Sequence, residues 1–238
     1  MDEMIIFPVM VLLSAFVSGM TGLGGGILLL AFMTPIFPAS VLIPLHGVFQ
    51  LFGNSTRVAL SIKQVDVKIL IMFTIGAAIG SLAGLPIDKS FSSDYSIIIL
   101  AVAMLTFTWF PVILKSIEFR GKFFIVGAVS SFLSLFIGAT GPLTAPFFFN
   151  SNLEKDSFVT TKAACQVPIH IFKIIIYTLS GFVIAEWYTY ILLAIPALIL
   201  GNFLGKLAIG KFDSKWYALI IKLSITVLVL RMVLKTFF

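Results

Sequence analysis

Two quartets of polar residues interrupt otherwise apolar stretches of this chain: His46-Gln50-Asn54-Arg57 and Lys162-Gln166-His170-Lys173. Both have the spacing four, four, three, and they stand 116 positions apart. On a helix those steps put four side chains on one face. Arg57 and Lys173 fill the same place in the two quartets and are both cations. Gln50, Gln166 and Asn54 add amide donors, and His170 adds an imidazole able to carry a proton. Guanidinium forks onto oxyanions and ammonium supplies a point charge, so Arg57, Lys173, Gln50, Gln166, Asn54 and His170 suit a path for an anion. Ionisable groups inside a membrane segment are costly and face the bundle interior or a watered path. The competing reading is that Arg57 and Lys173 snorkel to an interface. His170 serves equally well as a packing histidine. His46 follows Pro44 at a helix start, where an interfacial place is expected.

Two chain breaks accompany the quartets. The first is Thr21-Gly22-Leu23-Gly24-Gly25-Gly26 and the second is Gly138-Ala139-Thr140-Gly141-Pro142. Adjacent glycines disfavour continuous helix by about 1 kcal/mol each. Non-helical backbone at membrane depth survives only where it lines a protein cavity. Half-helices starting near Gly26 and Leu143 would aim free N–H groups and a partial positive charge at an anion. Thr21, Gly22, Gly25, Thr140 and Gly141 would then shape the site. Two plainer roles remain open: glycines that let helices approach closely, and threonines that bond back to a helix carbonyl.

Other chemistries find no residues. His46, His170 and Cys165 lack the spacing of a metal site, and no cofactor is expected. Cys165 is the only cysteine, so no intrachain disulfide forms, and it reads as packing. No phosphate-binding G-x-x-x-x-G-K-[ST] loop, G-x-S-x-G elbow or H-E-x-x-H pair is present, which argues against an enzyme of those types.

The elements that must carry these residues are set by composition. Of 238 residues 60% are hydrophobic and 11% charged, far below the roughly 25% charge of a soluble domain. A chain of this size cannot hide that much apolar side chain in a water-facing fold. An all-α polytopic membrane protein follows, with lipid as a partner. Apolar runs fall at about 5–20, 26–37, 41–61, 67–86, 95–114, 121–139, 142–150, 158–180, 187–209 and 215–236. Six of them reach the length of about 20 residues that spans a bilayer. The net charge of +6 comes from cations in short connections, without interleaved aromatics, so no nucleic acid is expected. The first residues lack a basic leader, so the first apolar run is expected to stay in the protein.

The chain reads as duplicated. Gly19-Met20-Thr21-Gly22 aligns with Gly138-Ala139-Thr140-Gly141, the quartets align, and Gly76, Gly80 and Asp88 align with Gly201, Gly205 and Asp213. Halves of 1–118 and 119–238 form one integrated membrane domain. Loop charge then chooses a topology. If each broken pair spans fully, the cations divide evenly, against the cytoplasmic bias. If each pair is a re-entrant hairpin, Lys63, Lys68, Lys115, Arg120, Lys122, Lys155, Lys162, Lys206, Lys211 and Lys215 share one side, opposite Lys89, Arg231 and Lys235. The second arrangement gives two inverted repeats, each a broken hairpin plus three transmembrane helices, with both termini outside. Duplicated halves with broken helices are the pattern of secondary transporters. The G-x-x-x-G spacings of Gly76-Gly80 and Gly201-Gly205 suit close helix approach or homodimer contacts.

At Gly19-Met20-Thr21-Gly22-Leu23-Gly24-Gly25-Gly26 with Pro35, repeated as Gly138-Ala139-Thr140-Gly141-Pro142 with Pro146, the sequence resembles the sulfite exporter TauE/SafE family, also called the toluene sulfonate uptake permease family. The second motif departs from the glycine run at Pro142-Leu143. The resemblance extends over nearly the whole chain. It implies movement of sulfite or a short organosulfonate across the bacterial inner membrane. Three rivals stand beside it: a passive anion channel, a membrane subunit that binds a partner without transport, and a thiol chemistry centred on Cys165.

Overall fold

The computed structural model describes residues 2–85, 94–110, 121–149, 151, 153–209, 211 and 214–237. Asp88, Lys89, Lys115, Arg120 and Asp213, with the 118/119 boundary between the expected halves, lie outside them. No strand occurs among the described residues. The α-helices are α1 (Asp2–Thr21), α2 (Gly25–Met33), α3 (Ala39–Leu60), α4 (Val67–Ala83), α5 (Asp94–Trp109), α6 (Lys122–Ile137), α7 (Gly141–Phe149), α8 (Lys155–Leu179), α9 (Tyr188–Leu207) and α10 (Ser214–Phe237).

The outside of the bundle is apolar, and its inside combines an apolar core around Phe7, Leu29, Leu45 and Phe49 with buried polar side chains. α4 exposes Ile71, Met72, Ile75, Ile79 and Leu82, while α3 buries His46, Gln50, Asn54 and Arg57. Polar groups turn inward because their alternative is hydrocarbon. Three described helices are long and apolar enough to cross a membrane by length and composition: Met4–Thr21, Lys155–Leu179 and Ile184–Leu207. Two of these coincide with long runs expected from sequence, 158–180 and 187–209, and the runs 67–86 and 95–114 extend past the described residues. α4 and α6 are apolar but have only 17 and 16 residues. α3 has 22 residues but carries a polar quartet.

Both breaks reverse the chain. Gly22 and Gly24 adopt φ of 69° and 75°, a region open to glycine at little cost. α2 then runs back beside α1: Gly25 abuts Ser14 and Ser18, and the Phe37 ring meets that of Phe7 at 5.3 Å, edge to face. Gly138, at φ 72°, does the same between α6 and α7, and Phe148 near the end of α7 returns to 5.0 Å from Phe123.

The helices pack against partners distant in sequence. α1 lies along α9 and α4 lies along α6. At Gly205 an added Cβ would stand 2.9 Å from Gly19 Cα, and at Gly80 it would collide with the Ala128 backbone. Only a hydrogen side chain admits that approach, and van der Waals contact of this kind holds helices together in lipid. Gly76, Gly80, Gly201 and Gly205 thus face helices of the same chain. α3 and α8 pack centrally and antiparallel: Gly47 meets Lys173, and at the opposite end Ser61 donates to Asp156 at 3.3 Å. α5 and α10 pair outside this core, joined by Trp109 Nε1–H to Thr226 Oγ1 at 2.9 Å.

One offset, 116, recurs in the structure. It relates the ends of α1 and α6, Gly22 and Gly138 at positive φ, the starts of α2 and α7, and the starts of α3 and α8. Aligning Thr21 with Thr140 is therefore out of step by three residues. Thr140 corresponds to Gly24 in the break, whereas Thr21 ends a helix.

Candidate functional site

The two reversals and the two central helices line a partly open cavity of about 40 Å³. Its lining includes Ser18, Gly22, Gly24 and Gly26 from the first break, with Ala139, Thr140 and Gly141 from the second. α3 contributes His46, Gln50, Asn54 and Arg57, and α8 contributes Lys162, Gln166 and His170. The volume holds a few waters or one small polyatomic ion. Two cations line it and no carboxylate does.

Local hydrogen bonds fix the walls. Asn54 Nδ2 donates to the Gln50 carbonyl at 2.7 Å, and Asn54 Oδ1 accepts from Arg57 Nη2. Arg57 also reaches the Gly53 and Ser18 carbonyls, both at 3.4 Å. The guanidinium is thereby held across the last turn of α1, the helix end that carries partial negative charge. Lys162 Nζ donates to the Gly22 carbonyl at 2.8 Å, and Gly141 lies beside the same ammonium. α2 begins at Gly25 after Gly24, with no side chain capping its first turn. Gly24, Gly26 and Ile27 at that start line the same space as the two cations, and a helix N-terminus there favours negative charge.

Several lining atoms are unpaired. Nδ1 of His46, Nδ1 of His170, Nε2 of Gln166 and Oγ1 of Thr140 are buried with no hydrogen-bond partner. An unsatisfied buried polar group costs about 1–3 kcal/mol, so a cluster of them marks a place where a partner is missing. The two imidazoles stand edge to face with centroids 6.3 Å apart.

The structure gathers most of the residues singled out from sequence. Gln50, Asn54, Arg57, Gln166, His170, Gly22, Thr140 and Gly141 line the cavity. Three are placed elsewhere. Lys173 is fully buried outside the lining and donates to the Gly138 carbonyl at 2.6 Å. Thr21 bonds back to Val17 and on to Leu23, both at 2.8 Å. Gly25 is packed against Ser14 and Ser18 of α1. His46, expected at an interface, is 1% exposed and lies in the interior. Lys162, counted among the loop cations, is buried in α8 and supplies the second cation. Its membership of the quartet was the available signal. Cys165 is buried and outside the lining. No group of three or more potential metal ligands occurs among the described residues.

A family model described as Sulfite exporter TauE/SafE matches residues 6–232. No curated protein and no solved structure matches the chain.

Proposed function

This chain belongs to the sulfite exporter TauE/SafE family, and from that premise we propose that it is a secondary transporter exporting sulfite or a short organosulfonate across the bacterial inner membrane. The observation that carries the reading is the carboxylate-free cavity holding Arg57 and Lys162 where the two chain reversals meet. Charge and donors favour an oxyanion, and a volume of about 40 Å³ favours a small one.

The mechanism we propose is alternating access between two inverted repeats. The antiparallel crossing of α3 and α8 and the exchanged pairings α1 with α9 and α4 with α6 support it. So do two aromatic clusters. Phe7, Phe37, Tyr190 and Trp187 gather near the start of α3, and Phe73, Phe123, Phe148 and Phe158 gather near the start of α8. Because α3 and α8 run oppositely, these clusters stand at opposite ends and supply one closure for each state. Re-entrant hairpins would keep both termini on the outer side, and rigid half-bundles rocking about a central site would move the anion.

Substrate-dependent flux in proteoliposomes tests the reading, with sulfite, sulfoacetate, sulfate and acetate as probes. Saturable flux of a sulfur oxyanion, lost in an Arg57→Gln/Lys162→Gln variant, is expected. Flux that does not saturate would identify a channel, and absence of flux from folded protein would remove the transport reading.

A further inference from the structure

We propose that the cavity takes its oxyanion as the hydrogen-bearing monoanion, with the O–H of the ligand donating to Nδ1 of His46. This rests on the anion-transport reading above and narrows its substrate class.

A neighbouring carbonyl sets the tautomer of His46. His46 Nε2 lies 2.8 Å from the Gly26 carbonyl oxygen. A carbonyl only accepts, so Nε2 carries hydrogen, and in the neutral ring Nδ1 is then an acceptor. That Nδ1 is buried and has no partner, in a residue that lines the cavity. The rest of the wall carries the donors Arg57, Lys162 and the unpaired Nε2 of Gln166, while Oγ1 of Thr140 can donate or accept. A lone pair on Nδ1 of His46, set beside these donors, pairs with an anion that bears a hydrogen.

The charged and titratable groups around His46 are Arg57 on its own helix and Lys162, His170 and Lys173 on α8. α2 and α7 contribute none. α9 brings Lys206, bound to the Leu60 carbonyl at 2.5 Å, and α6 brings Lys122 at its start. The Asp156 carboxylate of α8 lies against Ser61, at the end of the α3–α8 pair opposite the Gly47–Lys173 contact, away from Nδ1. A fully ionised oxyanion would set one lone pair against another at that position. A site with a buried group built to pair with a ligand O–H discriminates strongly against analogues that lack it. Hydrogen sulfite carries the O–H; a sulfonate is ionised at all working pH values and has none.

The test uses the intact protein in proteoliposomes at equal internal and external pH, with sulfite and methanesulfonate as probes. In mildly acid buffer sulfite is expected to move at least about ten-fold faster than methanesulfonate. The ratio should fall in mildly alkaline buffer as sulfite loses its hydrogen, while methanesulfonate flux stays flat. Comparable fluxes of the two anions, or a ratio independent of pH, overturn the proposal and leave the transporter standing. Absence of both fluxes removes the transport reading and this inference with it. In His46→Phe the ratio is expected to collapse toward unity, and an unchanged ratio in that variant would also overturn the assignment of Nδ1.

Discussion

The ammonium of Lys162 donates to the carbonyl oxygen of Gly22 at 2.8 Å, so a cation of α8 holds the first chain break. The contact joins α8 to the end of α1 across 140 residues of sequence and places positive charge where the two reversals converge. On the anion-transport reading, it would tie anion affinity to the geometry of the break.

Lys162→Met is expected to lower sulfite flux at least about ten-fold, because one of two cavity cations and the donor to Gly22 are lost together. Arg57→Lys keeps the charge and loses the fork, so it should retain flux with a raised KM. Initial rates in proteoliposomes against sulfite concentration check both.

Lys173→Met should behave differently. Lys173 ties the Gly138 carbonyl from outside the cavity lining. Removing it is expected to cost about 1–3 kcal/mol of stability, the range for a hydrogen bond to a charged group. KM for sulfite should stay within about two-fold, a shift well under 1.4 kcal/mol. Thermal unfolding in detergent and transport kinetics on the surviving folded protein separate the two effects.

Gly80→Val and Gly205→Val are expected to destabilise the protein by about 3 kcal/mol or more, because each added side chain meets backbone that cannot step aside. Gly121→Ala supplies the comparison. Gly121 has φ 83° and open space around it, so only backbone strain of about 1–2 kcal/mol is added. Yield of monodisperse protein and melting temperature report the order.

Cys165 is the sole cysteine and is fully buried. A membrane-permeant maleimide is expected to leave it unmodified in the folded protein and to label it after denaturation. Intact-protein mass spectrometry reads the result. Cys165→Ser should transport normally, which would remove the thiol chemistry considered from sequence.

Much of the site was legible before any fold was known. The quartets His46-Gln50-Asn54-Arg57 and Lys162-Gln166-His170-Lys173 announce one polar face each, since their spacing follows the helical repeat. The glycine clusters announce where helix must stop, since Gly22 and Gly138 take backbone conformations that other residues adopt at a cost. The apolar runs announce helices in lipid. All of these depend on neighbours within a few residues, which is why a linear chain displays them.

Depth and partnership were decided only by tertiary structure. Lys162 and Lys173 share a face, yet eleven residues separate them by about 16 Å along the helix axis, so one reaches the cavity and the other passes beyond it. Periodicity specifies an angle around a helix and says nothing of height. Thr21 and Thr140 sit in similar motifs, but three residues of offset leave one bonded within its helix turn and the other facing the cavity unpaired. His46 looked interfacial beside Pro44 until α2 folded back and gave its Nε2 a carbonyl. The sequence determined which residues are polar, which faces they share and where the chain must break. Which of them meet was decided by the packing of α3 against α8 and by the two reversals, because contacts between residues more than a hundred positions apart exist only once the helices are assembled.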